Sequence, residues 1–220
     1  MDLPVAPRAR RSVTLSPAVR EGTLRGDALE QAVDVAVGAF GEDPFFSYLF
    51  DDPARRHVAV ARLHRAVLVH LAQIGIVRTA YLDDRVVGVA LWVPPGKWPY
   101  PMSVQLRQAA GAMRAFLPNL GSLPRAGRIL RSVELAHPKR PQWYLQLLMV
   151  DPTVQRQGIG GILQASTLEL CDAEGLPAWL ETQKQDNLAY YARFGFEVAK
   201  EHRPVPDGPP MWSLSRDPRG

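Results

Sequence analysis

The chain has 220 residues, 46% of them hydrophobic, and it carries 26 Lys and Arg against 22 Asp and Glu, a formal charge of +4. This excess is too small to require a polyanionic partner such as nucleic acid. No apolar run approaches the ~18 residues of a membrane span, and residues 1–12 lack an apolar signal segment. We therefore expect a loose tail over residues 1–10 and one cytoplasmic domain over residues 11–220.

The first half of the chain alternates strand and helix patterns. The predicted elements are a strand over residues 11–15, helices over 29–40 and from about Ala54 to Ile74, and antiparallel strands over 75–82 and 85–93. Between the two helices, the acidic and aromatic segment 42–48 admits two interpretations. It is either a pocket for an amine or a solvated turn whose aromatic rings pack on the core, and the second is favoured.

From Pro101 the apolar residues follow a helical period again. They step by four and three residues, at Met102, Leu106, Ala109, Met113 and Phe116. A second helical set follows Pro118 and leads to Pro138. A stripe of this kind is typical of core packing, and a cover over a substrate site is the less favoured alternative.

The segment from Trp143 to Gly161 combines a strand, a glycine-bearing loop and the start of a helix. An apolar run ends at Asp151-Pro152, and the chain then passes through a loop into a helical pattern that stops near Gly175. Several free main-chain N–H groups meet the positive end of the helix dipole at such a junction, where proteins bind phosphates. We therefore predict a phosphate-binding loop here.

The remainder of the chain completes a mixed α/β pattern. We expect a strand over 178–182, a short helix over 187–194, and strands over 196–203 and 211–215. Asn187 is expected to cap the short helix. The order predicts a mixed sheet with antiparallel pairs at both ends and one βαβ unit in the middle.

Several kinds of catalytic site are disfavoured. No two of the five histidines have the i, i+4 spacing that lets them share a metal ion on a helix. Cys171 lies within a predicted helix without a basic neighbour in sequence, which favours a small buried side chain over a nucleophile. The glycine spacing matches neither a P-loop nor a dinucleotide fingerprint, and no Gly-x-Ser-x-Gly motif occurs.

Two motifs together carry a resemblance to a known family. The first is Gln155-x-x-Gly158-x-Gly160 directly after Val-Asp-Pro, and the second is Asn187-x-x-x-Tyr191-x-x-x-Gly195-Phe196. From about Trp143 to Leu214 the chain resembles the GCN5-related N-acetyltransferase (GNAT) superfamily, with an extra helical pair between the third and fourth strands. Leu180-Glu181-Thr182 and the segment 208–212 are similar to the branch containing puromycin N-acetyltransferase.

The resemblance implies an α/β fold whose mixed sheet splays open beside the strand ending at Val150, and acetyl-CoA as cosubstrate without a metal. The pantetheine arm would pair with the main chain of Leu148 and Val150 and bind Asn187. The pyrophosphate would bind main-chain N–H groups of Gln155, Arg156, Gln157, Gly158, Ile159, Gly160 and Gly161. Gly158 and Gly160 would allow close approach, and Arg156 would either add a charged contact or remain solvated.

The chemistry implied is direct attack of an amine on the thioester, through a tetrahedral intermediate stabilised by a main-chain N–H of the central strand. An alkyl amine with a pKa of ~10.4 is neutral in fewer than about one molecule per thousand at pH 7, so a base is needed. Glu181 is the candidate base, with a structural role as the equal alternative. Tyr191 fits the general acid by resemblance, and its spacing to Gly195 selects it over Tyr190; helix packing is the alternative for either ring.

Three functions are therefore compared. An N-acetyltransferase acting on a small-molecule amine, for example an antibiotic or related metabolite, is favoured. A non-catalytic acyl-CoA-binding sensor or interaction module is the alternative, and a nucleic-acid-associated protein is least favoured because no basic stretch is interleaved with aromatic residues. Monomer and homodimer both remain open. The acceptor is not identified, since residues 42–50 and 94–140 carry no motif.

Overall fold

The structure is a computed structural model that describes residues 17–219. Its helices are α1 (Gly26–Phe40), α2 (Pro44–Leu49), α3 (Pro53–His70), α4 (Met102–Phe116), α5 (Leu123–Ala136), α6 (Ile159–Glu174) and α7 (Asp186–Ala192). Its strands are β1 (Ala18–Glu21), β2 (Ile76–Leu82), β3 (Arg85–Val93), β4 (Trp143–Val150), β5 (Ala178–Thr182), β6 (Glu197–His202) and β7 (Met211–Arg216). The strand predicted over residues 11–15 lies outside the described residues.

The helices α2 and α3 both begin at an Asp-Pro pair. The Asp43 carboxylate accepts a hydrogen bond from the N–H of Phe45 at 3.0 Å, and the Asp52 carboxylate accepts one from Arg55 at 2.7 Å. Each proline occupies the first helical position, where no N–H is needed. The segment 42–48 is therefore largely helical rather than a turn, although its aromatic rings do pack against buried residues, as expected.

The sheet is mixed and splays open in its middle. The strand order is β1-β2-β3-β4-β5-β7-β6, and every pair is antiparallel except β4 and β5. These two parallel strands pair only where Trp143 meets Ala178 and Tyr144 meets Trp179. Beyond that point β4 runs on to Val150 without β5 beside it, which confirms the predicted splayed sheet.

The main chain of β4 offers free hydrogen-bonding groups to this gap. The N–H of Asp151 donates to Val87 at 2.8 Å on the β3 side, whereas the carbonyl of Val150 accepts from the side chain of Gln155 at 3.0 Å. Main-chain groups of successive strand residues point to opposite edges. The groups of Leu148 therefore point away from β3 and into the gap, as those of Val150 do.

The two faces of the sheet pack against different helices. The buried cluster on one face joins residues of α1 and α3 to Tyr144 and Trp179. The cluster on the other face joins residues of α6 to Leu180 and Tyr191. Since side chains alternate along a strand, Glu181 lies on the same face as Trp179. The gap between β4 and β5 is thus accessible to side chains from both faces.

The helices α4 and α5 are inserted between β3 and β4, as predicted, but α4 is oriented differently from the prediction. It packs on α3 at Gly111, where an added Cβ would lie 2.5 Å from the Cβ of Ala66. Because this side uses small residues, the apolar pattern did not indicate it. The predicted core stripe is largely exposed, with Met102, Leu106 and Met113 at 67%, 64% and 48% exposure.

Candidate active site

The loop between β4 and α6 presents unpaired main-chain N–H groups at a helix N-terminus. The N–H groups of Gly161 and Ile162 both donate to the carbonyl of Gly158, at 2.9 and 3.1 Å, which closes the first turn of α6. For the N–H groups of residues 155–160, no acceptor is found within residues 17–219. They lie at the positive end of the helix dipole, which is the arrangement that binds phosphate.

The three glycines of this loop serve different purposes. Gly158 has φ of +86°, and a Cβ built there meets no atom within 4 Å, so this position is open to a ligand. A Cβ at Gly160 would lie 2.5 Å from the hydroxyl of Tyr190, and one at Gly161 would lie 3.2 Å from the ring of Phe194. These two glycines therefore allow α7 to pack against α6, a reason that the motif did not reveal.

The side chains of the loop differ in what they can offer a ligand. Gln155 is committed to the carbonyl of Val150 and so holds the loop against the strand. Arg156 and Gln157 are exposed, and Arg156 makes no ion pair with any described residue. The Arg156 guanidinium therefore remains available to a phosphate oxygen.

The two adjacent tyrosines of α7 have different surroundings. The Tyr190 hydroxyl accepts a hydrogen bond from Gln164 at 2.8 Å, and burial raises its pKa to about 12. The Tyr191 ring is 8% exposed, with its centroid 5.7 Å from that of Phe196, and its hydroxyl has no hydrogen-bond partner in the described range. Burial also raises the pKa of Tyr191, so this hydroxyl stays protonated at neutral pH.

Asn187 lies within α7 rather than at its cap. The helix begins at Asp186 with Gln185 in the cap position, so the predicted capping role of Asn187 is wrong. Its side-chain amide instead donates to the hydroxyl of Thr182 at 2.8 Å. This contact ties α7 to the end of β5, and it leaves the carbonyl oxygen of the Asn187 amide available.

Glu181 lies where β4 and β5 separate, and both of its oxygens accept hydrogen bonds. One accepts from the Tyr144 hydroxyl at 2.7 Å and the other from the Trp179 indole at 2.5 Å. Burial raises the pKa of Glu181 to about 7, and the two hydrogen bonds oppose that rise. The carboxyl group is therefore poised to exchange a proton near neutral pH.

An aromatic cluster surrounds Glu181, and the sequence did not indicate it. Its members are Trp98, Tyr100, His137, Tyr144 and Trp179, with neighbouring ring centroids 4.4–6.3 Å apart. The Tyr100 hydroxyl also donates to Gln146, the extra residue of a bulge in β4. Because Trp98 and Tyr100 precede α4 and His137 follows α5, both ends of the inserted helices meet beside Glu181.

Glu181 and Tyr191 lie on opposite faces of the sheet. Tyr191 packs in the cluster that contains Leu180, whereas the Glu181 carboxylate bonds Tyr144 on the other face. Successive side chains of β5 point to opposite faces, which accounts for this placement. A carboxyl group and a protonated hydroxyl thus lie on the two faces of this part of the sheet.

The acidic segment after α1 does not supply a free carboxylate. Glu42 bonds the guanidinium of Arg56 at 3.1 Å, and Asp43 lies 3.4 Å from the ammonium of Lys184. Burial raises the pKa of Asp43, while Lys184 opposes the rise. With both acids paired to cations, the structure favours a structural role for this segment over a pocket for an amine.

Other reactive groups are sparse in the described residues. Cys171 is fully buried, as expected, and burial raises the pKa of its thiol to about 12. No group of three or more His, Cys, Asp or Glu that could hold a metal ion occurs between residues 17 and 219. None of the described helices combines the length and apolar character that crossing a membrane requires.

A splayed mixed sheet with unpaired main-chain N–H groups after its central strand is the architecture expected of an acyl-CoA-dependent N-acyltransferase. A sequence model of the acetyltransferase (GNAT) family matches residues 42–196, and the chain belongs to this family. The protein is therefore an acetyl-CoA-dependent N-acetyltransferase. The likeness to the puromycin branch is not tested by this match and stays a prediction.

Solved structures with the same fold cover almost the whole chain. The structure of "histone acetyltransferase HPA2 and related acetyltransferase" from Corynebacterium glutamicum has a TM-score of 0.64 at 23% identity, covering 93% of this chain and 98% of that one. PaiA N-acetyltransferase from Thermoplasma acidophilum, in complex with coenzyme A, has a TM-score of 0.55 at 11% identity, covering 91% and 99%. These similarities show the fold.

Proposed function

We propose that the protein transfers the acetyl group of acetyl-CoA directly to the amine of a small molecule, with Glu181 as base and Tyr191 as acid. An antibiotic or a related metabolite is one class of acceptor. The observation that carries the proposal is the placement of these two groups on opposite faces of the sheet, with Glu181 bonded to Tyr144 of β4 where the strands separate. A donor on one face and an acceptor on the other would then each have a proton-transfer group at hand.

The residues that would hold acetyl-CoA fit its chemistry. The main-chain groups of Leu148 and the N–H of Val150 can pair with the amides of a pantetheine arm, and the Asn187 carbonyl can accept from it. The unpaired N–H groups of residues 155–160, the open position at Gly158 and the unpaired Arg156 suit a pyrophosphate. When bound, acetyl-CoA supplies an acetyl group activated as a thioester.

Glu181 would accept the proton that the amine loses. With a pKa of about 7 it is roughly half ionised at neutral pH, whereas an ordinary glutamate would be ionised but too weak a base. The hydrogen bonds from Tyr144 and Trp179 fix the orientation of the carboxylate. Proton transfer could proceed directly or through one water molecule.

Tyr191 would donate a proton to the departing thiolate. Its raised pKa keeps the hydroxyl protonated, and the absence of a partner among the described residues leaves it free to donate. A thiol pKa of ~8.5 already makes the thiolate a tolerable leaving group, so we assign the smaller share of the rate acceleration to Tyr191.

A non-catalytic acyl-CoA sensor is the second candidate, and one observation favours it. Both Glu181 oxygens are occupied by hydrogen bonds within a packed aromatic cluster. That arrangement also suits a structural carboxyl group. The two functions therefore differ in whether the protein converts bound acetyl-CoA to coenzyme A and an acetylated product.

The test is a free-thiol release assay with acetyl-CoA across puromycin, aminoglycosides, polyamines, arylamines and peptide N-termini. We expect release above the rate of acetyl-CoA hydrolysis with at least one small-molecule class, together with an acetylated product of matching mass. Saturable acetyl-CoA binding without release across the panel would favour the sensor. Acetylation confined to peptides would contradict the proposed acceptor class.

The phosphate-binding loop is tested by replacing Gly158 with Trp. Acetyl-CoA at a hundred times its Kd should raise the Tm of the wild-type protein by about 5–10 °C. The Gly158→Trp side chain would fill the open position, so this shift should vanish. Thermal unfolding monitored with and without acetyl-CoA measures the difference.

The matched control is Gly175→Trp at the other end of α6. Gly175 also has positive φ, at +64°, and a Cβ there also meets no atom within 4 Å. Both variants therefore carry comparable backbone strain. Gly175→Trp should lower the Tm of the free protein but keep the shift with acetyl-CoA; an unchanged shift in Gly158→Trp would overturn the loop assignment.

A further inference from the structure

The helix α4 has two apolar faces on opposite sides. One packs on α3, with Val104, Gly111 and Ala115 turned inward. The other runs along the outside and consists of Met102, Leu106, Ala109, Ala110 and Met113, continued by Leu117 directly after the helix, all exposed in the described structure. We call this second face the outer stripe. A helix that is apolar on both sides is normally enclosed on both sides, so the outer stripe is suited to a contact with another molecule.

The outer stripe is symmetric about its own midpoint. The midpoint lies between Ala109 and Ala110; Leu106 and Met113 are equally far from it, and so are Met102 and Leu117. Large side chains thus stand at both ends and small ones in the centre. When two such helices pack antiparallel around a two-fold axis, each residue meets the one at the mirrored position. Large residues then meet large ones, and the alanines allow close approach of the backbones.

The charges beside the outer stripe lie on one flank of the helix. The helix contains Arg107 and Arg114, seven residues apart on the same side, and no acidic residue. The two-fold axis places Arg107 of one copy about two residues, ~3 Å along the axis, from Arg114 of the other. Arg107 donates to the side chain of Gln73 at 3.0 Å, which directs its guanidinium toward its own chain. Arginines of both copies therefore lie at one edge of the seam, so the dimer should be weaker at low ionic strength.

We propose that the outer stripe of α4 is the interface of a homodimer, in which two copies of α4 pack antiparallel around a two-fold axis between Ala109 and Ala110. The stripe from Met102 to Leu117 spans about 22 Å. A single helix pair of that length forms a small interface, so we expect a dimer that dissociates on dilution. This inference is independent of the acceptor and of the catalytic residues.

The first test is the mass of the protein by analytical ultracentrifugation between nanomolar and tens of micromolar concentrations. The wild-type chain should be a dimer at the upper end and a monomer at the lower end. The variant Leu106→Lys/Met113→Lys should weaken dimerisation at least ~100-fold, because it buries ammonium groups in the seam. Since both side chains are exposed, its circular dichroism should match wild type.

The matched control places the same charges on α5. Leu130 and Leu135 are 58% and 67% exposed, similar to Leu106 and Met113, but lie outside the outer stripe. Leu130→Lys/Leu135→Lys should therefore dimerise as wild type does. A wild-type chain that is monomeric at every concentration, or a dimer lost only in the α5 variant, would overturn the proposal.

Disulfide trapping tests the antiparallel geometry. In the proposed dimer, residue 106 of one copy meets residue 113 of the other, whereas two copies of residue 106 lie about 10 Å apart along the axis, too far for a disulfide. Oxidising a mixture of Leu106→Cys and Met113→Cys should thus give a mixed disulfide dimer that neither variant gives alone. Cys171 is fully buried and does not compete. Disulfides within each separate variant, but none between them, would exclude this geometry.

Discussion

The variant Tyr191→Phe should turn over about a hundredfold more slowly than wild type, with little change in KM. Removing one oxygen leaves the ring packed against Phe196 and removes only the proton donor. General acid catalysis typically contributes ~10²–10⁴-fold, and a thiolate leaving group needs less of it than an alkoxide. Steady-state kinetics of thiol release give kcat and KM separately, which distinguishes lost catalysis from lost binding.

Tyr190→Phe is the matched control for this prediction. Its hydroxyl lies against Gly160 and accepts from Gln164, whose amide also donates to the carbonyl of Gly160 at 3.2 Å, so removing the hydroxyl costs one of two hydrogen bonds. We expect a loss of about 1 kcal/mol in unfolding free energy and a small change in kcat. If Tyr190→Phe lost more activity than Tyr191→Phe, the proton donor would be the other tyrosine.

The sequence predicted the acetyl-CoA side of the cleft because that side is made of local main-chain structure. A strand, a glycine with positive φ at Gly158 and a helix N-terminus follow one another in the chain, and each has a recognisable residue pattern. Even in this loop, the sequence pattern did not show which glycine leaves room for a ligand and which ones allow helices to pack. Gly160 and Gly161 are small because α7 packs on them, which depends on Tyr190 and Phe194 about thirty residues later.

The acceptor side could not be predicted in the same way, because it is assembled from distant segments. The groups around Glu181 come from β4, β5 and the two ends of the inserted helices, and no sequence period links Trp98 to His137. Of the residues predicted to form a core stripe, Phe116 is buried, but the four that precede it belong to the exposed outer stripe, because an apolar period does not specify what covers it. Small residues at Gly111 and Ala115 form the inward face, which a search for large apolar residues overlooks.

The variant Glu181→Gln should lower kcat by ~10²–10³-fold near pH 7, since an amide cannot accept the proton of the amine. Wild-type kcat should rise with pH up to about 7, the pKa to which burial raises Glu181, and then level off. The residual activity of Glu181→Gln should lack this rise. The glutamine can still bond both neighbours, because the Tyr144 hydroxyl can turn and accept from the amide.

Glu174→Gln is the matched control, because Glu174 accepts the indole N–H of Trp143 at 2.8 Å, as Glu181 does that of Trp179, but at the far end of α6. It should retain wild-type kcat and its pH dependence.

The stability of Glu181→Gln provides a second measurement. The folded-state pKa of Glu181 is raised from 4.5 to about 7. Ionisation of the carboxyl group therefore destabilises the fold as pH rises through that interval. The Tm of Glu181→Gln relative to wild type should therefore increase from pH 4.5 to 7 and stay constant above. A pH-independent difference in Tm would show that burial does not raise the pKa of Glu181. An unchanged kcat would show that Glu181 is not the base.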